Sequence, residues 1–264
     1  MTKIAIINDT HAGIRNSSDI FADNADQFYN DLFFPHLVAN GIKRIIHLGD
    51  VFDNRKFINF KSLHRFRKSF LANLRKHHIH MDVIPGNHDT FYKNTNELNS
   101  LKELLGHYMG EVTIHMKPTV LDLNGFKLAL LPWVCQENYD HSIEFIKTCK
   151  ADWLGGHLEL MGFDVLKGVP AHGGMDHKIF SRFEKVISGH FHTASQQDNV
   201  QYLGTQMEFT WSDAHDPKKF HILDTKTREL TPVLNPNNLF ERIQYDDSKI
   251  DYSMYDTSHL DGKF

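Results

Sequence analysis

Cysteine is scarce in this chain of 264 residues, where only Cys135 and Cys149 occur. Two thiols cannot build a disulfide framework, which fits a reducing compartment and leaves both as candidate buried, inert side chains. Long apolar runs are missing too, and that excludes a bilayer-spanning helix. Met1-Thr2-Lys3-Ile4 leads directly into a strand-like segment, so no secretory leader is expected. Neither internal repeats nor low-complexity tracts occur. Global positive charge is absent as well: the formal net charge is −4, and composition alone gives no pull towards nucleic acid. What remains, 41% apolar and 23% charged residues, is an ordinary globular composition, enough for one large domain or two modest ones.

Histidine is what the chain has in excess, at 19 residues. His77, His78 and His80 read as surface or helix-end residues, but His11, His88, His157, His190 and His192 fall in short segments that follow apolar runs. The pattern around them alternates. A strand at 3–8, a helix at 24–39 stopped by Asn40-Gly41, a strand at 42–48, a helix at 60–77 and a strand at 81–85 make a βαβαβ order. Such an order implies parallel strands with helical crossovers. A helix at 96–105 and strands at 112–115, 119–123 and 126–132 follow, the last two joined by the hairpin signal Asn124-Gly125. A helix at 139–149 leads to a strand at 151–155. The glycine-rich stretch 158–180 reads as an irregular excursion, and strands resume at 185–188, 200–203, 219–223 and 229–233. The expected fold is α/β: a four-layer α-β-β-α sandwich of two mixed sheets flanked by helices.

Five strand ends carry metal-binding residue types: Asp9-Thr10-His11, Gly49-Asp50, Gly86-Asn87-His88-Asp89, Gly156-His157 and Gly189-His190-Phe191-His192. Sites in open α/β sheets are built at strand ends. Asp9 and His11, two apart in extended chain, can face one side. Asp50, after a glycine turn, can bridge two cations. Three oxygen and four nitrogen donors suit Mn, Fe or Zn better than a purely oxygen-loving cation. Asp9-x-His11 or Gly-Asp alone is a common accident; the five segments together are not.

In these segments the chain resembles the calcineurin-like metallophosphoesterases, and within them the nuclease subunit of SbcCD-type double-strand-break repair complexes, including the recombination endonuclease subunits of T-even-like phages. Gly49-Asp50-Val51-Phe52-Asp53-Asn54-Arg55-Lys56, Leu131-Pro132-Trp133-Val134-Cys135, Gly155-Gly156-His157-Leu158-Glu159-Leu160, Ser188-Gly189-His190-Phe191-His192-Thr193 and Tyr202-Leu203-Gly204-Thr205 also carry the resemblance. It covers residues 1–240, the expected nuclease domain, and makes 241–264 a linker or the start of a truncated capping domain. It implies two divalent ions, Mn first and Mg, Fe or Zn as alternatives. One would be held by Asp9, His11, Asp50 and His192, the other by Asp50, Asn87, His157 and His190. It further implies an SMC-like coiled-coil ATPase partner and a homodimer through helices near 57–77 and 92–105. The location would be cytoplasmic, in the host if the chain is phage-encoded.

His88, next to Asn87 but outside the ligand set, is the expected proton donor to the leaving oxygen. Asp53 is its expected anionic neighbour; cellular nucleases of this kind carry His there, whereas serine/threonine phosphatases carry Asp. Asp89 reads as an orienting residue. No acidic residue lies between Asn54 and His80, and Lys61, Arg65, Lys68, Arg75 and Lys76 share a helical face opposite Leu63, Phe66, Phe70 and Leu74. That face reads as a phosphate-binding stripe or a plain solvated surface. Arg55, Lys56 and, on the 158–180 excursion, His172 are candidate substrate contacts. The expected activity is two-metal hydrolysis of DNA, as exonuclease on duplex ends and endonuclease on single strands. A small-substrate phosphodiesterase or phosphatase of the same superfamily, or a non-catalytic scaffold, are the rival readings.

Overall fold

The computed structural model describes residues 2–249 and 251–264. Its strands, in chain order, are β1 (Lys3–Ile7), β2 (Arg44–His47), β3 (His80–Val83), β4 (Val112–Ile114), β5 (Thr119–Leu123), β6 (Phe126–Leu131), β7 (Trp153–His157), β8 (Asp164–Leu166), β9 (Val169–Pro170), β10 (Lys185–Gly189), β11 (Ser195–Gln197), β12 (Val200–Tyr202), β13 (Lys219–Asp224) and β14 (Glu229–Leu234). Two six-stranded sheets form, ordered β14-β13-β1-β2-β3-β4 and β11-β12-β10-β7-β6-β5. β1 to β4 are mutually parallel, as are β6, β7, β10 and β12; β13, β14, β5 and β11 run antiparallel to their neighbours.

Alternation along the central strands decides the layering. Ile4 and Ile6 of β1 and Ile46 of β2 meet Leu128, Leu130, Trp153 and Ile187 of the other sheet in a core between the sheets. Their neighbours Ala5, Ile7 and Ile45 point the other way, under Phe28, Phe33, Leu37, Phe66 and Phe70 from helical runs at 19–39 and 60–77. On the far side, Ala129, Leu131 and Val186 pack with Ile146 of the helix Tyr139–Thr148. Each such aliphatic side chain contributes about 1.5–3 kcal/mol by leaving water. The four-layer α-β-β-α sandwich expected from the sequence is what forms.

Local differences have local causes. The first helix begins at Asp19, five residues before the expected start, and contains a π-turn over Phe28–Phe33; the second contains one over Arg67–Leu71. The two π-turns touch, and Phe70 packs against Tyr29, Phe33 and Phe34. Asn99, whose side chain accepts from Lys102 N, starts the next helix at Ser100 rather than 96. The stretch 158–180 holds a small β8-β9 hairpin and a 3-10 turn at His177–Phe180. The C-terminal end folds back on what precedes it: Phe264 N donates to Leu239 O at 2.9 Å, and its ring stacks on Phe240. No helix among the described residues is long and apolar enough to cross a membrane. Cys135 and Cys149 are free and buried, as expected.

Candidate metal centre

The turns after β1, β2 and β3 lie side by side because those strands are neighbours in one sheet, and backbone hydrogen bonds join them. Asp9 N donates to Gly49 O (2.9 Å), His11 N to Asp50 O (3.1 Å) and Ala12 N to Val51 O (2.8 Å). Asp9, His11, Asp50 and His190 all take positive φ, between 43 and 87°. Such conformations cost side-chain-bearing residues about 1–3 kcal/mol each and concentrate where function demands them. Close approach adds a second constraint. A Cβ at Gly86 would fall on the Asp50 carboxylate, and one at Gly189 would stand 2.7 Å from Asp9 Oδ2. Gly86 lets neighbouring turns of one sheet close up, and Gly189 lets the turns of the two sheets come together.

The seven expected ligands converge at one place, in two groups. His11 Nε2 stands 3.1 Å from His192 Nε2, 3.7 Å from Asp9 Oδ1 and 3.8 Å from Asp50 Oδ2; His192 Nε2 is 3.8 Å from Asp9 Oδ1. In the second group His157 Nε2 lies 3.3 Å from Asp50 Oδ2 and 3.0 Å from Asn87 Oδ1, which is 2.9 Å from His190 Nδ1. Asp50 Oδ2 belongs to both. Donors bound to one small cation at about 2.1 Å are separated by roughly 3.0–3.4 Å, so the observed spacing fits one ion per group with little adjustment.

Electrostatics point the same way. Asp9 and Asp50 are buried, and among the described residues no Lys or Arg pairs with either. Burial raises the Asp9 carboxyl. It pushes Asp50 up too, but His157 and His11 overcome it and hold that carboxyl well below its ordinary range. Burial lowers the histidines: His190 and His192 fall to about 3 and stay neutral, while the Asp50 and Asp9 charges lift His157 to about 9. Buried carboxylates facing imidazoles, with no Lys or Arg beside them, form a donor set that suits a divalent cation, whose binding would displace the proton from His157. His157 Nδ1 lies 2.7 Å from Leu48 O, and donating there leaves Nε2 free to face the cluster.

Support comes from residues the expected ligand list does not contain. Asp89 is fully buried. Its carboxylate accepts from the backbone N–H of Asp50, Gly86, Val51 and Phe52 at 2.8–3.2 Å, clasping the second and third turns. Burial and the Asp50 charge push it up to about 7. Asn8 Nδ2 donates to Asp9 Oδ2 (2.6 Å), and His190 N to the same oxygen (3.0 Å). Lys218, buried between Asp213 and Asp216, donates to His192 O (3.3 Å). Asp89 stands inside a motif and was legible as an orienting residue. Lys218 lies 26 residues from His192 and carries no sequence signal.

Other expectations change. The His88–Asp53 ion pair does not form: His88 Nδ1 faces the Asp53 backbone carbonyl at 2.5 Å. The Asp53 carboxylate instead stands 3.4 Å from His11 Nδ1, an atom with no hydrogen bond. His88 itself stays at the cluster, its N–H donating to Asp50 Oδ1 (2.8 Å) and its ring 4.9 Å edge-on to His11. The basic stripe is largely neutralised: Lys61 pairs with Asp19, Arg65 with Asp23 and Asp26, and Arg75 with Glu111. Arg55 turns inward to Thr90 O, Thr90 Oγ1 and Tyr92 O. Lys56 is exposed at a neighbouring apolar groove, and His172 is exposed and belongs to neither ligand group.

Exonuclease subunit 1 of Enterobacteria phage T4 is 36% identical to this chain over 255 residues, which cover 95% of the chain and 73% of that protein. Among solved structures, an archaeal phosphodiesterase aligns over 88% of the chain and 99% of its own, with 18% identity and a TM-score of 0.41. A protein of Thermus thermophilus aligns over 88% and 98%, with 12% identity and a TM-score of 0.48. No family model matches. The structural likenesses are too weak to carry weight, whereas the sequence identity extends over nearly the whole chain. The chain belongs to the SbcD-like family of the phage exonuclease subunit 1.

Proposed function

We propose that this protein is a metal-dependent DNA nuclease that hydrolyses phosphodiester bonds of duplex ends and single strands in recombination and break repair. The observation that carries the proposal is the convergence of seven donors in two groups sharing Asp50, in a chain related to an exonuclease subunit. Asp9, His11, Asp50 and His192 would hold one divalent ion, and Asp50, Asn87, His157 and His190 the other. Two such ions, Mn by the mixed oxygen and nitrogen donor set, supply a nucleophile at neutral pH and neutralise charge on the phosphate.

The protein's own groups do the rest. His88 would give a proton to the leaving oxygen from Nε2 of a doubly protonated ring, whose Nδ1–H donates to the Asp53 carbonyl. Asp53 orients His11 through its carboxylate rather than acting on the proton donor. Asp89 fixes the turns of Asp50 and Asn87.

Residues 1–240 form the proposed nuclease domain, with 241–264 a linker or the beginning of a capping domain. The proposed partners are DNA, an SMC-like ATPase and a second copy of the chain, in a cytoplasmic setting. Phe57, 66% exposed, lines the apolar groove between 52–58 and 91–104, and Phe60 is 87% exposed; both support the dimer. Lys56 at that groove, Arg55 and His172 remain proposed substrate contacts.

The test compares cleavage of linear duplex DNA, single-stranded DNA and bis(p-nitrophenyl) phosphate with Mn²⁺. Cleavage of both DNAs is expected. Turnover of the small ester alone would favour a small-substrate phosphodiesterase.

A further inference from the structure

A groove of about 510 Å³ opens beside the donor cluster, with His157 as the shared wall. Trp133 stands between them, its ring centroid 5.3 Å from that of His190 and 6.0 Å from that of His157. Tyr139, 48% exposed, faces the same groove, and Ile143 and Ile179 add to its apolar lining. The turn that carries both aromatics is fixed at several points. Trp133 N donates to Pro85 O (2.9 Å), and its carbonyl accepts from Asn96 Nδ2 (2.7 Å) and Asn138 Nδ2 (2.9 Å). Cys135 N donates to Asn138 Oδ1 (2.9 Å). The backbone that carries Trp133 is therefore held in place in advance.

Charge tells which part of a nucleotide the groove suits. Glu159 and Asp176 line it, and no Lys or Arg does. The Glu159 carboxylate has no hydrogen-bond or ion-pair partner among the described residues. Two carboxylates repel a phosphate backbone but accept from the amino edge of a base, while aromatic rings stack on any base face. The anionic backbone belongs at the donor cluster and the neutral base beside it.

We propose that this groove takes the unpaired nucleobase adjoining the scissile phosphate, stacked against Trp133 and Tyr139. The inference rests on the nuclease reading above and adds to it a subsite that selects an unstacked base. Cleavage would then require the base to be present and free to leave its neighbours.

The test uses the full chain with Mn²⁺ and a single-stranded oligonucleotide carrying one tetrahydrofuran abasic residue, with cleavage mapped bond by bond. The bond next to the abasic residue is expected to be cut roughly tenfold less than the same bond in the intact oligonucleotide, in line with the worth of one stacked base. Tyr139→Ala is expected to erase this discrimination and Tyr139→Phe to keep it. Because each ratio compares the same bond in two oligonucleotides cut by the same variant, a general loss of activity in a variant cancels. Equal cutting beside abasic and natural residues by the wild type overturns the subsite, and so does undiminished discrimination in Tyr139→Ala. DNA left intact while bis(p-nitrophenyl) phosphate is hydrolysed overturns the nuclease reading itself, a result distinct from either.

Discussion

The two sheets furnish the candidate metal centre with different chemistry. Turns after β1, β2 and β3 bring all three oxygen donors, Asp9, Asp50 and Asn87, together with His11. The other sheet brings only imidazoles, His157 at the end of β7 and His190 and His192 after β10. The first side is tied by backbone hydrogen bonds and the Asp89 clasp. On the second, His157 sits at the end of a regular strand and Lys218 holds the His192 carbonyl. Neither sheet carries a complete set for either ion. The site therefore exists only while the sheets are packed, and the inter-sheet core is part of it.

Removing the residue common to both groups should have the largest effect. Asp50→Asn is expected to lower kcat/KM by about 10⁴-fold or more, since it weakens both ion sites at once. Mn²⁺ titration of the same variant should fall short of two ions per chain. His88→Gln is expected to lower kcat by about 10²–10³-fold with two Mn²⁺ still bound. This separates a proton donor from a ligand; unchanged kcat in the variant would remove His88 from the mechanism.

The inter-sheet dependence is sharpened by a matched pair. Leu130 lies between the sheets and Leu37 between a helix and the outer face of the first sheet, both fully buried. Leu130→Ala and Leu37→Ala should each cost about 2–5 kcal/mol in denaturant unfolding. Only Leu130→Ala is expected to weaken Mn²⁺ binding under native conditions. Equal Mn²⁺ affinities in the two variants would detach the site from sheet packing.

Smaller effects test the support on the first side. Asp89→Asn should weaken Mn²⁺ binding by about 10–100-fold through loss of its charged clasp. Asp53→Asn should weaken it by about tenfold, acting through His11. If Asp53→Asn instead shifts the pH profile of kcat as His88→Gln does, the Asp53 carboxylate acts on His88 after all.

Sequence made the candidate ligands legible because each stands at or just after a strand end and four of the seven, Asp50, Asn87, His157 and His190, adjoin a glycine, a local arrangement with few structural explanations. The sandwich was legible for a similar reason: strand and helix periods are local. What escaped depended on partners distant in the chain. The basic face of the 60–77 helix reads as open until Asp19, Asp23 and Asp26 are seen packed against Lys61 and Arg65. Asp53 looks like a partner for His88 because both motifs point to the site, and only the turn geometry sends its carboxylate to His11. The left-handed backbone at Asp9, His11 and Asp50 has no sequence marker, since none of the three is glycine.

The most direct test of a single centre with Asp50 common to both groups is electron paramagnetic resonance of the protein loaded with two equivalents of Mn²⁺. The spectrum expected is that of a spin-coupled Mn pair, reverting to isolated or lost Mn signals in Asp50→Asn. Two uncoupled Mn²⁺ signals in the wild type, or one ion bound at saturation, would contradict the account.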